Sequence, residues 1–391
     1  MRKLIKHIST TFSNMDKVLF FATLILIVFG TLNIVTASSR EAVVNSSANM
    51  FHFFFKHMGI LFISLTAFLI LINLIKTKNY KKWMLVIFPI ILALNAYLVL
   101  KGGATRGASN WINLKVIKIQ PSEFAKPVLI ITMSILFSKF YKKLNSKKEK
   151  NTNEIWYIIG IPLVLSGLVF LQKDLGTALI LMGIFAVEFI FSPVKKEDKY
   201  KAGFAILLLL GAFLLVKFST SGYILSKAQE SRLKNFFNPC SKYEDTGYQV
   251  CNAFIAINNG GLFGVGIGKS TQKYSYIPEP HTDMVFAIIA EEYGLIVCAV
   301  IFTLYIIILL RILSLARKTK DRQNKYICLG VGTYIFLHIF INLGGLFGVI
   351  PLTGVPLPFL SYGGSFTLSL IASLGIIQRI HIEMKSSKSK K

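Results

Sequence analysis

Acidic residues are scarce in this chain: 18 Asp and Glu stand against 44 Lys and Arg over 391 residues, a formal net charge of +26. Histidine (6) and cysteine (4) are scarcer still, and no Cys-x-x-Cys pair or His/Cys cluster occurs. A zinc site of the usual ligand spacing is thereby excluded. Cys298 and Cys328 fall inside apolar runs, where a thiol acts as a packing residue. Cys240 and Cys251 share one polar loop, compatible with a disulfide in an oxidising compartment and equally with two free thiols. No A-x-A-like cleavage site follows the basic stretch 1–17, so the first apolar run reads as an uncleaved helix. No internal repeat is visible.

Apolar residues are abundant instead. They make up 53% of the chain, Phe alone contributes 32, and the mean hydropathy is +0.59. Many apolar stretches approach or exceed the roughly 20 residues a helix needs to cross a bilayer. Backbone polar groups in lipid need internal partners, so the expectation is an all-α integral membrane protein, a single polytopic domain over 1–391. Ten spans are predicted, at about 18–37, 51–75, 83–100, 124–141, 155–172, 175–192, 202–218, 284–310, 326–349 and 365–380.

The positive charge is not spread as a nucleic-acid surface would spread it. Lys and Arg crowd into alternate short loops: Arg2 to Lys17, Lys76 to Lys82, Lys139 to Lys150, Lys195 to Lys201, Arg311 to Lys325, and the tail from Arg379 to Lys391. That alternation places both termini in the cytoplasm, with 1–17 and 381–391 as cytoplasmic ends. The opposite side carries the long segment 219–283, between the seventh and eighth spans, expected to be partly ordered against the membrane surface.

Unusual polar residues gather on that opposite side. Asp283 ends a Pro-Glu-Pro-His-Thr-Asp run at the mouth of the eighth span, where a helix cap is the structural alternative to a functional acid. Glu291 and Glu292 lie within the span, where ionisable groups are costly and face a polar cavity or partner. On a straight helix Glu291 lies about 12 Å along the axis and about 80° around from Asp283, so it is expected to share that cavity. Glu292 points away, toward a cation elsewhere. Arg106, Trp111, Glu123 and Lys126 form a second group, for which an i,i+3 ion pair and an interfacial Trp are the plainer explanations. Asp174 is placed to cap the sixth helix. Residues 351–365, PLTGVPLPFLSYGGS, are too rich in Pro and Gly for a helix and read as a re-entrant segment beside a polar cleft.

At these motifs the sequence resembles the SEDS family (shape, elongation, division and sporulation). The matches are Gln120–Lys126, Lys173–Ala178, Asp245–Val250, Asn258–Asp283, Ala290–Leu295 and Pro351–Ser365, in family order and across most of the chain. The resemblance implies a peptidoglycan glycosyltransferase that polymerises lipid II into β-1,4 glycan strands at the outer face of the bacterial cell membrane. An α-linked donor gives a β-linked product, so an inverting displacement is expected, with Asp283 taking the acceptor proton. The substrate-binding set is Lys126, Glu123, Asp174, Arg106, Trp111, Arg232, Lys273, His281, Glu291 and Ser361. The leaving pyrophosphate calls for those cations or for a divalent ion, Mg or Mn, and no organic cofactor is implied. A class B penicillin-binding protein is the implied partner, with other divisome membrane proteins, lipid II as substrate and no nucleic acid. The GYQV and GKSTQKYSYIPEPHTD segments look like the FtsW or sporulation branch, which implies work at the division septum; the VPLPF segment looks like the elongation proteins. Asn110 stands where the family carries a basic residue, and Lys173 where it carries Pro. A RodA-type elongation polymerase, a lipid II flippase without chemistry and a divisome scaffold are the rival readings. A flippase would hold its key residues at midplane, whereas Asp283 sits at the mouth.

Overall fold

A computed structural model describes residues 10–46, 51–101, 110–113, 118–145, 154–221, 227–237, 239–240, 245–275, 277 and 280–388. It is a bundle of long helices: α1 (Lys17–Ser46), α2 (His52–Asn73), α3 (Tyr80–Lys101), α4 (Pro121–Lys139), α5 (Glu154–Leu171), α6 (Leu175–Ile190), α7 (Lys196–Ser221), α8 (Lys227–Phe237), α9 (Asp245–Gly260), α10 (Val285–Lys318), α11 (Arg322–Leu346) and α12 (Ser365–Lys388). Among the described residues, seven helices are long and apolar enough to cross a membrane: α1, α2, α3, α5, α10, α11 and α12. The apolar α6 is shorter, and α4 carries Glu123, Lys126 and Lys139. Each of the ten predicted spans overlaps one helix.

Local chemistry explains the boundaries. Pro121 opens α4, where a missing N–H costs nothing. Asp174 caps α6 through the Thr177 amide at 3.0 Å, and Asp321 caps α11 through Asn324 at 2.8 Å. Pro89, Pro127 and Pro162 sit inside helices, as spans tolerate when neighbours supply the lost contacts. Thr23, Ser38 and Ser134, within the bundle, donate to carbonyls one turn back and so bring paired hydroxyls into the interior.

Helices α4, α11 and α12 form the buried centre. Ser369 of α12 donates to the Glu123 carbonyl of α4 at 2.8 Å, and Ser365 accepts from the Gln120 amide at 2.9 Å. The Lys- and Arg-rich end is closed by Asp16, which accepts from Arg311 at 2.7 Å while its backbone exchanges two bonds with Gln378. Glu383 there accepts from Thr77 and Arg379. The stretch 381–391, read from the sequence as a cytoplasmic end, is helical up to Lys388, because Glu383 and Arg379 tie it to the Thr77 turn and to the Ile72 carbonyl. Segment 219–283 contains α8, α9 and a short turn at Gln272–Ser275, and a disulfide joins Cys240 to Cys251.

The sequence-based picture of α10 needs correction. Its ladder breaks at Gly294, whose φ of 77° and ψ of 179° are not helical. The chain 261–266 docks there: Leu295 and Ile296 donate to the carbonyls of Gly261 and Leu262, while Val265 and Gly266 donate to those of Glu291 and Glu292. A side chain at Gly294 would come within 2.6 Å of the Leu262 backbone, so only glycine fits both the conformation and the space.

Candidate functional site

The end of the bundle opposite the Lys- and Arg-rich end is organised around residues 351–356. Gly176, in the first turn of α6, packs against Thr353 and Val355 so closely that a Cβ would lie 2.7 Å from the Val355 methyl. Three polar groups surround this wall.

The first centres on Asp174. One oxygen caps α6; the other accepts from Asn110 and from Gln120, each at 2.9 Å. The carboxylate therefore pins the start of α6 to the strand-like loop formed by β1 (Ile112–Asn113) and β2 (Lys118–Ile119), which pair antiparallel. Trp111 is half-buried beside Asn110, between the first group and β1. The Asn110 that stands where a basic residue was expected is thus a donor to Asp174. Lys173 beside it has a φ of 66°, a conformation closed to the proline expected there.

The second group is sealed in the bundle. Lys126 is fully buried, and its ammonium contacts both Glu123 oxygens at 2.8 Å and His338 Nε2 at 3.0 Å. Tyr334 and Phe366 flank the ammonium at 5.6 and 5.8 Å from their ring centres. All three ammonium hydrogens have protein acceptors, so the expectation that Lys126 directly meets an anionic leaving group is not met in this arrangement.

The third group holds Asp283. The turn His281–Met284 precedes α10, whose N-cap position is Met284, one residue after Asp283. The Asp283 side chain is half-buried, with Thr282 Oγ1 3.3 Å from Oδ1. Its carbonyl accepts from Asn342 Nδ2 at 2.8 Å. The buried His281 ring packs on Phe53 and Tyr362, with centroids 4.6 and 5.3 Å apart, and its carbonyl accepts from the Tyr362 amide at 2.8 Å.

Several expected site residues lie elsewhere. Glu291 does not share a cavity with Asp283. It accepts from Ser270, from the amide and hydroxyl of Thr271 and from the Gln272 amide, and so anchors the loop before the short Gln272–Ser275 turn. The angular estimate failed because Asp283 and Met284 belong to a turn, so helical phase starts only at Val285. Glu292 does meet a cation: Lys273, 2.6 Å away, with both side chains buried. Lys273 is consequently an internal ion-pair partner and not an open cation. Ser361 is also turned inward, its hydroxyl accepting from the Leu357 amide at 2.8 Å and lining a small pocket with His57, Phe359 and Thr367. Arg106 lies outside the described residues, and Arg232 falls on α8 with its side chain outside the description.

His338 and Asn342 were not singled out from the sequence. The available signal was the one applied to Glu291: polar side chains inside an apolar span. Among the described residues, no three His, Cys, Asp or Glu side chains are grouped to hold a metal ion. The divalent cation that the sequence suggested therefore has no all-protein cage among them.

Comparison with known proteins places this geometry in context. The family model described as cell cycle protein, covering FtsW, RodA and SpoVE, matches residues 16–386. The probable peptidoglycan glycosyltransferase FtsW of Bacillus subtilis is 32% identical over 389 residues, covering 96% of this chain and 93% of that protein. The stage V sporulation protein E of the same organism is 30% identical, covering 93% and 96%. Among solved structures, a chain from a peptidoglycan synthase complex coordinating polymerization and crosslinking superposes with a TM-score of 0.72 at 22% identity, covering 95% of this chain and 98% of that one. The rod shape determining protein RodA of Thermus thermophilus gives 0.65 at 23%, covering 94% and 96%.

Proposed function

This chain belongs to the cell cycle protein family of FtsW, RodA and SpoVE, and from that membership we propose that it polymerises lipid II into β-1,4 glycan strands at the outer membrane face during cell division. It is a multi-pass peptidoglycan glycosyltransferase. The observation that supports the finer reading is the place of Asp283: a half-buried carboxylate in the turn His281–Met284, at the end of the bundle opposite the Lys- and Arg-rich end.

In an inverting displacement the acceptor 4-hydroxyl oxygen attacks the donor's anomeric carbon. The new C–O bond forms as the bond to the pyrophosphate oxygen breaks, and the electron pair leaves with the pyrophosphate. Asp283 accepts the hydroxyl proton, a role open to a carboxylate within hydrogen-bond reach of the acceptor. Lys126 and Lys273 are committed to buried pairs, so charge on the leaving group falls to basic residues of the outer end, where Arg106, Lys118 and Lys173 lie in the sequence. The sealed Lys126 cluster and the Asp174 cap act on the site by shaping the 351–356 wall.

The FtsW relatives favour the division branch over elongation. A class B penicillin-binding protein is the proposed partner, in line with the synthase complex that shares the fold, and septal membrane is the proposed location. The test is lipid II polymerisation by the purified protein with its cognate transpeptidase, comparing wild type with Asp283→Ala. Glycan product from wild type and none from a variant that still co-purifies with the partner supports the reading. Equal activity would remove Asp283 from the chemistry, and lipid II crossing vesicles without polymer would favour transport.

A further inference from the structure

Asn342 lies in the apolar helix α11 and is 2% exposed. Its Nδ2 is 2.8 Å from the Asp283 carbonyl oxygen and 2.8 Å from that of Val355. Two carbonyl oxygens can only accept, so the atom between them is the amide nitrogen and both its hydrogens are used. One turn away on the same face, His338 Nδ1 lies 3.1 Å from the Pro356 carbonyl and Nε2 lies 3.0 Å from Lys126. The carbonyl only accepts and the ammonium only donates, which assigns the neutral tautomer with its proton on Nδ1. Helix α11 thus grips consecutive carbonyls of the irregular wall, Val355 through Asn342 and Pro356 through His338.

Asp283 needs such a grip. It sits in the turn before α10, so the helical ladder does not fix its backbone. Among the described residues, Tyr362 N–H to the His281 carbonyl and Asn342 to the Asp283 carbonyl tether this turn to segment 350–364 and to α11. We propose that Asn342 is the positioning residue of this glycosyltransferase, setting the Asp283 carboxylate for proton transfer by clamping the Asp283 and Val355 carbonyls to one amide. The proposal rests on Asp283 as the base. A reacting group displaced by about 1 Å costs on the order of 100-fold in rate, so loss of the clamp acts on turnover. Asn342 reaches Asp283 through its backbone oxygen, so ground-state binding of lipid II changes little.

The experiment measures steady-state polymerisation of lipid II by full-length protein with its transpeptidase, for wild type, Asn342→Ala, Asn342→Asp and Asp283→Ala. Thermal melting and partner co-purification report folding. Asn342→Ala is expected to lower kcat by roughly 10–100-fold while KM for lipid II stays within about twofold. Asn342→Asp keeps the side-chain volume but donates only when protonated, so its kcat lies between those of wild type and Asn342→Ala and its pH optimum moves down from the wild-type value. A folded Asn342→Ala with wild-type kcat, or a loss carried by KM alone, overturns the proposal. So does an Asn342→Asp profile that superposes on wild type. If Asp283→Ala itself keeps wild-type activity, the premise that Asp283 is the base falls, and that result is distinct from any behaviour of the Asn342 variants.

Discussion

Lys273 and Glu292 form an ion pair at 2.6 Å in which the two side chains are 1% and 0% exposed. The pair ties the Gln272–Ser275 turn to α10 just before its break. Removing one member leaves an uncompensated buried charge, so Lys273→Ala or Glu292→Ala is expected to cost about 3–5 kcal/mol. Replacing both, as Lys273→Met with Glu292→Leu, should restore most of the loss. Melting in detergent measures both; single variants that melt with wild type would show that the pair does not form.

The Cys240–Cys251 disulfide closes the span from α8 to α9, while Cys298 and Cys328 are buried thiols. The native protein is therefore expected to take up no maleimide, and mild reduction should expose two reactive thiols. Intact mass after labelling reads the count directly. Labelling at Cys240 and Cys251 without reductant would contradict the bridge.

Gly294 has a left-handed φ and no room for a side chain against Leu262. Gly294→Ala combines backbone strain with a clash against main-chain atoms and is expected to cost about 1–3 kcal/mol. Hydrogen exchange of residues 261–266 should rise in the same variant, because their partners on α10 shift. Unchanged protection of that loop would mean that the break is not held by glycine.

Glu188 of α6 is fully buried, and among the described residues neither carboxyl oxygen has a hydrogen-bond partner. Gly330 on α11 makes room for it, since any Cβ there would collide with the carboxyl and lie 2.6 Å from an Ile130 methyl. A polar group buried without partners costs stability. Glu188→Leu is expected to raise the melting temperature, and a fall would reveal an unrecognised interaction of the carboxyl.

How much of this was legible in the sequence depended on the kind of signal. The spans were, because about 20 apolar residues in a row have few other uses. Asp174 as a cap and Glu123–Lys126 as an i,i+3 pair were also legible, since both depend on neighbours in the chain. Relations across the bundle were not. Nothing in the spacing of Lys126 points to His338, 212 residues away, and nothing in that of Asp283 points to Asn342. The placement of Glu291 was misjudged because a helical phase was extended through a turn. The helical continuation of the tail beyond 380 was not legible, because Lys and Ser composition hides the contacts of Glu383.

The break in α10 also bears on how the chain enters the membrane. Gly261 and Leu262 offer carbonyls that Leu295 and Ile296 fill, and Glu291 and Glu292 offer carbonyls that Val265 and Gly266 fill. Each partner alone would leave those backbone groups without protein partners, at several kcal/mol apiece wherever water is excluded. The loop is synthesised first and the helix second, so the loop must wait at the interface until α10 emerges. Biogenesis of this end is then a joint insertion of two segments, and a nascent chain halted between them would hold neither in place.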